Sequence, residues 1–303
     1  MYFASTAHSV RNARSVRAVR IVLSLVAAAG LACVATGCRR SPAPTPEVVA
    51  LGAASLPAGP EDAAWRAAPE HVAALLPQDL IEPKIAAPST GEVRVRAFAS
   101  AGEIAFRLEW ADTASNDLPG AGRFPDAAAV QVPQRADVNA PDPQMGEPGR
   151  PVEIVYWRAD WQATVNGRDD SIQALYPNAT VDHYPFDARS LEPGSEAQRQ
   201  MARRYAPADA VGNRRGGLRQ SAVEDLMAEG PGTLAPAGTT TSRGAGVRTP
   251  TGWAVVLTRR LPDGLAARGR TQVAFAIWEG SAREAGSRKM RTGWTGLSMR
   301  EAP

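Results

Sequence analysis

FPDAAAVQVP (124–133) and RPVEIVYWRADWQ (150–162) frame a loop that carries PQMGEPG (143–149). Two apolar runs, 127–132 and 152–157, are short and bounded by turn residues. The second is rich in β-branched and aromatic residues, and both read as strands. The second run is apolar on both faces, with Val152, Ile154 and Tyr156 on one side and Val155 and Trp157 on the other. A strand of that kind is covered on both sides. Met145 sits in the loop between the runs, in a polar setting lined by glycine and proline. Two readings of it stand open: a loop methionine that packs back on the core, or a soft metal ligand.

Working outward, VRVRAF (93–98) alternates, Ser100-Ala101-Gly102 turns, and Ile104, Phe106, Leu108 and Trp110 recur at period two, which predicts a hairpin. Trp65 offers a first core anchor, and 75–85, with Pro77 and Pro83, predicts an irregular or edge segment. Strands are expected again at 253–258, 272–278 and 294–299. Between Asn166 and Arg248 the pattern weakens, and two capping boxes predict short helices: Ser195 to Gln198 opening 196–204, and Ser221 to Glu224 opening a helix that Gly230 stops. A stretch of about 80 residues with so little regular structure points to function or partner contact. The expected fold class is mainly β: an antiparallel β-sandwich with a few short helices in a long insertion, 166–248.

The chain has 303 residues, 44% hydrophobic and 21% charged, ordinary values for a globular protein. The net charge of +3 comes from the N-terminus, because residues 1–37 hold four arginines and no acid. The remainder has 34 − 4 = 30 basic against 31 acidic residues, which predicts no nucleic-acid surface. Arg11, Arg14, Arg17 and Arg20 precede an apolar run, Ile21 to Val34, as in a signal peptide. Ala35-Thr36-Gly37-Cys38 follows and resembles a lipobox, in which Cys38 is lipidated; ordinary cleavage after a small residue is the alternative. The expected organisation is a signal peptide at 1–37, a flexible linker at 38–60 and one domain at 61–303, lipid-anchored on the periplasmic side of a bacterial membrane, or soluble in the periplasm without the lipid. Cys33, the other cysteine, lies inside the apolar run, so the mature chain has no disulfide and no C-x-x-C-H haem site.

Hydrolase signatures are missing: no G-x-S-x-G, H-E-x-x-H or P-loop occurs. His71 and His183 stand alone, and a lone loop histidine is more often hydrogen-bonded surface than base. Asp169-Asp170 and Glu224-Asp225 read as solvated turn and helix-start acids. Lysine usage is the unusual feature: among 34 basic residues only Lys84 and Lys289 are lysines. Arginine cannot offer a lone pair to a metal, whereas a desolvated lysine can. On the residues alone, a solvated loop cation remains the simpler account of Lys289.

The succession AFRLEWAD (105–112), RFPDAAAVQVP (123–133), PQMGEPGRPVEIVYWRADWQ (143–162), YPNATVDHYPF (176–186), SAVEDLMAEGPGTL (221–234), GWAVVLTRRL (252–261) and VAFAIWEGSAREAGSRKMRTGW (273–294) resembles the haem b-binding gamma subunit of periplasmic molybdenum enzymes. Ethylbenzene and dimethylsulfide dehydrogenases and selenate and chlorate reductases belong to that group. The resemblance implies a β-sandwich holding one non-covalent haem b with a methionine and a lysine as axial ligands. The methionine of the M-G-x-P-G loop falls on Met145 and the lysine after the W-x-G strand on Lys289. Two protein ligands leave no open iron position, which suits electron transfer, and a thioether raises the haem potential. The implied role is non-catalytic: a relay between a molybdenum/iron–sulfur oxidoreductase and a redox partner such as a c-type cytochrome. The competing reading is a ligand- or carbohydrate-binding lipoprotein without haem, in which Trp157, Trp161 and Trp278 stack on sugar rings; core packing is the other account of those tryptophans.

Overall fold

A computed structural model describes residues 44–137, 139–170, 172–178, 192, 194–205, 219–266 and 268–301. Both apolar runs, 127–132 and 152–157, form strands. The strands, in chain order, are β1 (Val48–Gly52), β2 (His71–Ala74), β3 (Leu76–Pro77), β4 (Glu92–Ser100), β5 (Glu103–Ala111), β6 (Ala127–Pro133), β7 (Val152–Arg158), β8 (Val223–Ala228), β9 (Ala235–Pro236), β10 (Arg243–Thr249), β11 (Gly252–Arg260), β12 (Arg270–Trp278), β13 (Met290–Arg291) and β14 (Thr295–Arg300). Helices α1 (Ala159–Val165), α2 (Ile172–Leu175) and α3 (Glu196–Tyr205) complete the described elements of length.

The strands run in the order β10-β11-β5-β4-β1-β14-β12-β6-β7-β8-β9, with β2 beside β4, and β13 beside β12 and β3. β12 joins the two halves: Arg270 to Val273 pair with β14, and Ala274 to Trp278 pair with β6. The halves then pack on one another. Trp157 of β7 meets Trp110 of β5 with ring centroids 6.3 Å apart and Trp253 of β11 at 5.1 Å, while Phe106 of β5 meets Phe275 of β12 at 6.3 Å. All are edge-on contacts, each worth about 0.5–1.5 kcal/mol beyond the area buried. This two-layered packing is consistent with a sandwich. Gly246 on β10 is required by it, because a Cβ there would stand 2.3 Å from the Trp157 ring. Gln162 of α1 fixes the same ring: its Oε1 accepts from Trp157 Nε1 at 3.1 Å and from the Gly246 amide at 2.8 Å.

The hairpin at 93–110 forms as β4–β5 around Ala101 and Gly102, both at positive φ. Trp65 is buried against Phe98, and Ser195 Oγ accepts from the Gln198 amide at the start of α3. Four expectations are corrected. Residues 48–52 are not linker: Val48 and Ala50 are fully buried, and β1 inserts between β4 and β14, parallel to both. An apolar pentapeptide finds two strand edges there, and the sheet is mixed rather than purely antiparallel. The helix expected after Ser221 is strand β8, antiparallel to β7. Val223, Leu226 and Ala228 are buried against β7, and that packing overrides the local capping signal. Consequently Glu224-Asp225 is not a helix start; Asp225 Oδ2 accepts from the amides of Thr241 and Ser242. The stretch 166–248 thus contributes three strands as well as helices, while His183 and most of 187–220 lie outside the described residues.

Candidate functional site

The outer face of β12, β6, β7 and β8 carries the second set of apolar side chains that β7 requires. Register aligns Ala274, Gln131, Ile154 and Leu226 in one row and Ala276, Ala129 and Tyr156 in the next. Alanines at 129, 274 and 276 keep this floor low, and Trp278 stands at its end against Tyr156, ring centroids 5.1 Å apart. Loops rise around the floor and enclose a cavity of about 340 Å³, within the usual range for a cofactor or small-molecule site. Leu80, Ile81 and Leu234 line it and are themselves exposed, so the mouth is apolar.

One wall is the loop that carries Met145. Asp142 starts it: its Oδ1 accepts from the Gln144 amide and its carbonyl from the Gly146 amide. Met145 has φ +79° and Gly146 φ +78°, so two successive residues are left-handed. For a methionine this costs about 1–2 kcal/mol, which the surrounding bonds offset. Gly230 donates to the Met145 carbonyl at 2.8 Å, Trp294 Nε1 donates to Pro141 O at 2.6 Å, and Gln131 Nε2 reaches from the floor to Pro143 O at 2.9 Å. The loop is therefore held from three sides with the thioether turned to the cavity.

The opposite wall is the loop after β12. Trp278 Nε1 donates to Gly286 O at 3.1 Å. Gln78 clamps the loop: its backbone amide donates to Lys289 O at 3.0 Å and its Nε2 to Ser287 O at 3.1 Å. Buried Glu284 ties the loop down by accepting from the Glu279 amide at 2.9 Å; burial raises its carboxyl pKa.

The two loops bring Met145 Sδ and Lys289 Nζ to 3.7 Å. Burial lowers the Lys289 pKa to about 8, with help from the neighbouring Arg291 guanidinium. The nitrogen lies 5.3 Å from the Trp278 ring centroid, a contact that favours the ammonium, yet desolvation prevails. Lys289 is thus a lysine that can present a lone pair near neutral pH. Lys84, by contrast, is exposed and pairs with exposed Glu82 at 3.7 Å. Among the described methionines, Met145 alone lines the cavity; Met290 and Met299 are core residues and Met227 is exposed. His71 is in β2, buried, with Nδ1 2.7 Å from Thr45 O, away from the cavity. Trp157 and Trp161 are fully buried in the core and offer no face to a sugar; Trp278 lines the cavity. Cys38 and His183 lie outside the described residues.

A feature the sequence reading missed lies at the strand ends beyond Trp278. Carboxylate oxygens of Asp112, Asp126 and Glu279 come within 4.8 Å of one another. Asp126 is fully buried and accepts from the amides of Gly280 and Asn116 and from Trp253 Nε1. Desolvation raises its pKa to about 7, and Asp112 adds to the shift. Each acid stands at the end of an apolar strand, an ordinary place for a solvated turn residue, so nothing in the linear pattern marks them.

The sequence profile of the ethylbenzene dehydrogenase family matches residues 62–290. The chain belongs to the ethylbenzene dehydrogenase family. A protein of Haloferax mediterranei assigned as the respiratory nitrate reductase heme subunit ORF7 is 28% identical over 301 residues, covering 94% of this chain and 83% of its own. The chlorate reductase subunit gamma of Ideonella dechloratans is 27% identical over 237 residues, covering 75% of this chain and 73% of its own. Among solved structures, a family 9 carbohydrate-binding module of Caldicellulosiruptor kristjanssonii in complex with cellotriose aligns over 84% of this chain and 94% of that one, at a TM-score of 0.42 and 6% identity. In this ethylbenzene dehydrogenase family chain, the Met145 loop and all but the last residue of the loop 279–291 fall within the matched span.

Proposed function

We propose that this chain is a haem b-binding, non-catalytic electron-transfer subunit of a molybdenum/iron–sulfur oxidoreductase, with Met145 and Lys289 as the axial ligands of one non-covalent haem. The observation that carries the reading is the approach of a thioether and a desolvated amine to 3.7 Å across an apolar cavity. The residues fit the group in three respects. The floor is low and apolar, as a porphyrin face requires. The donor set joins a soft sulfur to a nitrogen whose proton is easily lost. The lining is cationic, with Lys289 and Arg291 and no acid among the described residues, which suits a ligand with carboxylates. The names of the two relatives, a nitrate reductase heme subunit and a chlorate reductase gamma subunit, support the same role.

Bound haem supplies a one-electron iron couple. The protein's own part is to hold the ligand atoms and keep water away. The strained Met145–Gly146 turn fixes the thioether, Gln78 and Trp278 fix the lysine loop, and the apolar cavity weakens the amine's hold on its proton. On this reading the chain relays electrons between a periplasmic catalytic complex and a partner such as a c-type cytochrome, tethered to the membrane through lipid on Cys38. Two acyl chains would hold it there stably. Cys38→Ser should release the protein or leave its signal uncleaved; a wild-type protein with an unmodified, soluble N-terminus overturns the tether.

The test of the cofactor is the absorption spectrum of the purified full chain. A red protein with a low-spin b-type spectrum, changed in both Met145→Ala and Lys289→Arg, supports the assignment. A colourless protein that takes up no haem, or a spectrum of bis-histidine ligation, defeats it.

A further inference from the structure

Lys289 and Arg291 flank Met290, whose side chain is fully buried in the core, so strand alternation turns both cations to the cavity. If Lys289 is a neutral ligand, Arg291 is the fixed positive charge of the site, since arginine keeps its proton. Its side chain is 18% exposed, yet its ion pair with Asp79 is a 3.4 Å contact, and Asp79 is 73% exposed. An ion pair to so exposed an acid is weak and readily exchanged. Asp79 does not line the cavity, and no described lining residue is acidic. A mostly desolvated guanidinium at the edge of an apolar cavity, held by a replaceable surface acid, is a receptor for a carboxylate delivered by the ligand itself.

We propose that Arg291 pairs with a propionate of the bound haem and so sets which edge of the ring faces β13. The proposal rests on the haem reading. It also accounts for the part Arg291 plays in lowering the Lys289 pKa: a cation placed for the ligand's carboxylate also repels the proton on the amine.

The experiment titrates haem-free full chain with haem b and with its dimethyl ester, in which the propionate charges are removed, and reads affinity from the absorption change. Wild type should bind haem b about ten- to a hundredfold more tightly than the ester, the usual weight of a charged hydrogen bond. Arg291→Gln should lose that preference by weakening haem b and leaving the ester unchanged. Arg291→Lys should restore part of it, which separates loss of charge from loss of folding. Equal weakening of both ligands in Arg291→Gln, or an undiminished preference for haem b, overturns the propionate pairing while the haem reading stands. Failure of the wild type to bind either ligand removes the haem reading, and the pairing with it.

Discussion

Met145 Sδ stands 3.7 Å from Lys289 Nζ, although 144 residues separate them in the chain. Each side chain is carried by an irregular loop, and neither loop is held by its own residues alone. Gln131 and Gly230 hold the first, and Gln78 and Trp278 the second. Four separate parts of the sequence must fold before the pair exists.

Lys289→Arg keeps the charge and most of the length but removes the lone pair. We expect the haem-loaded variant to lose its low-spin absorption bands and electron paramagnetic resonance signal, while His71→Ala, altered at a residue bonded to Thr45, keeps both. In the wild type, protons should compete for the amine, so the low-spin fraction should fall as pH drops below neutrality. A low-spin spectrum unchanged in Lys289→Arg would rule out nitrogen ligation by this residue.

Without haem, Lys289 should be a stability cost. Its folded pKa is depressed from 10.5 to about 8. The group's contribution is therefore fully present above pH 10.5 and is lost as pH falls through 8. At pH 7 the cost approaches its full size, at about 1.4 kcal/mol per pKa unit. Lys289→Met should stabilise the haem-free protein by roughly 1–3 kcal/mol at pH 7 in urea unfolding, with little gain at pH 11. Equal gains at both pH values would mean that packing, not desolvated charge, is responsible.

Gly146→Ala would place a Cβ 2.9 Å from Ala228 O and 3.1 Å from Arg150 O at φ +78°. Gly149, at φ +75°, has nothing within 4 Å of its Cβ position. Gly149→Ala should cost about 1–2 kcal/mol from backbone conformation alone. Gly146→Ala should cost more in thermal unfolding and should also weaken haem uptake, because its loop must shift and Met145 is the adjacent residue. Equal effects of the two substitutions would exclude the close approach as the cause.

Asp126 should give the fold an acid-side pH dependence. Its folded pKa is raised from 3.8 to about 7 by burial. Stability from this group is fully present below pH 3.8 and is lost as pH rises through 7, because the unfolded carboxyl ionises first. Asp126→Asn should flatten the stability profile between about pH 4 and 7 in denaturant titrations. A profile of unchanged slope would show that Asp126 is ionised in the folded state.

Much of the architecture was legible because side-chain periodicity reports burial directly. The hairpin 93–110 and the strands at 127–132, 152–157, 253–258 and 272–278 are visible in their apolar patterns and are present. The two apolar faces of 152–157 foretold two covered surfaces, and the structure puts the aromatic core on one and the cavity on the other. Residues 48–52 and 223–228 were misread for one reason: their partners lie far away in the chain. VVALG becomes a strand because β4 and β14 leave two edges for it, and VEDLM becomes one because β7 does.

The sequence by itself determined which residues could serve: a signal-like N-terminus, a methionine in a glycine–proline loop and a lysine kept in an arginine-rich chain. It could not determine that the last two meet, nor that the lysine sheds its proton easily. Periodicity tells which face of a strand is buried but not against what. Distance, desolvation and the gathering of Asp112, Asp126 and Glu279 arise only when β12 pairs with β6 and the loops close over their common face. Those properties belong to long-range pairing and to the low dielectric it creates.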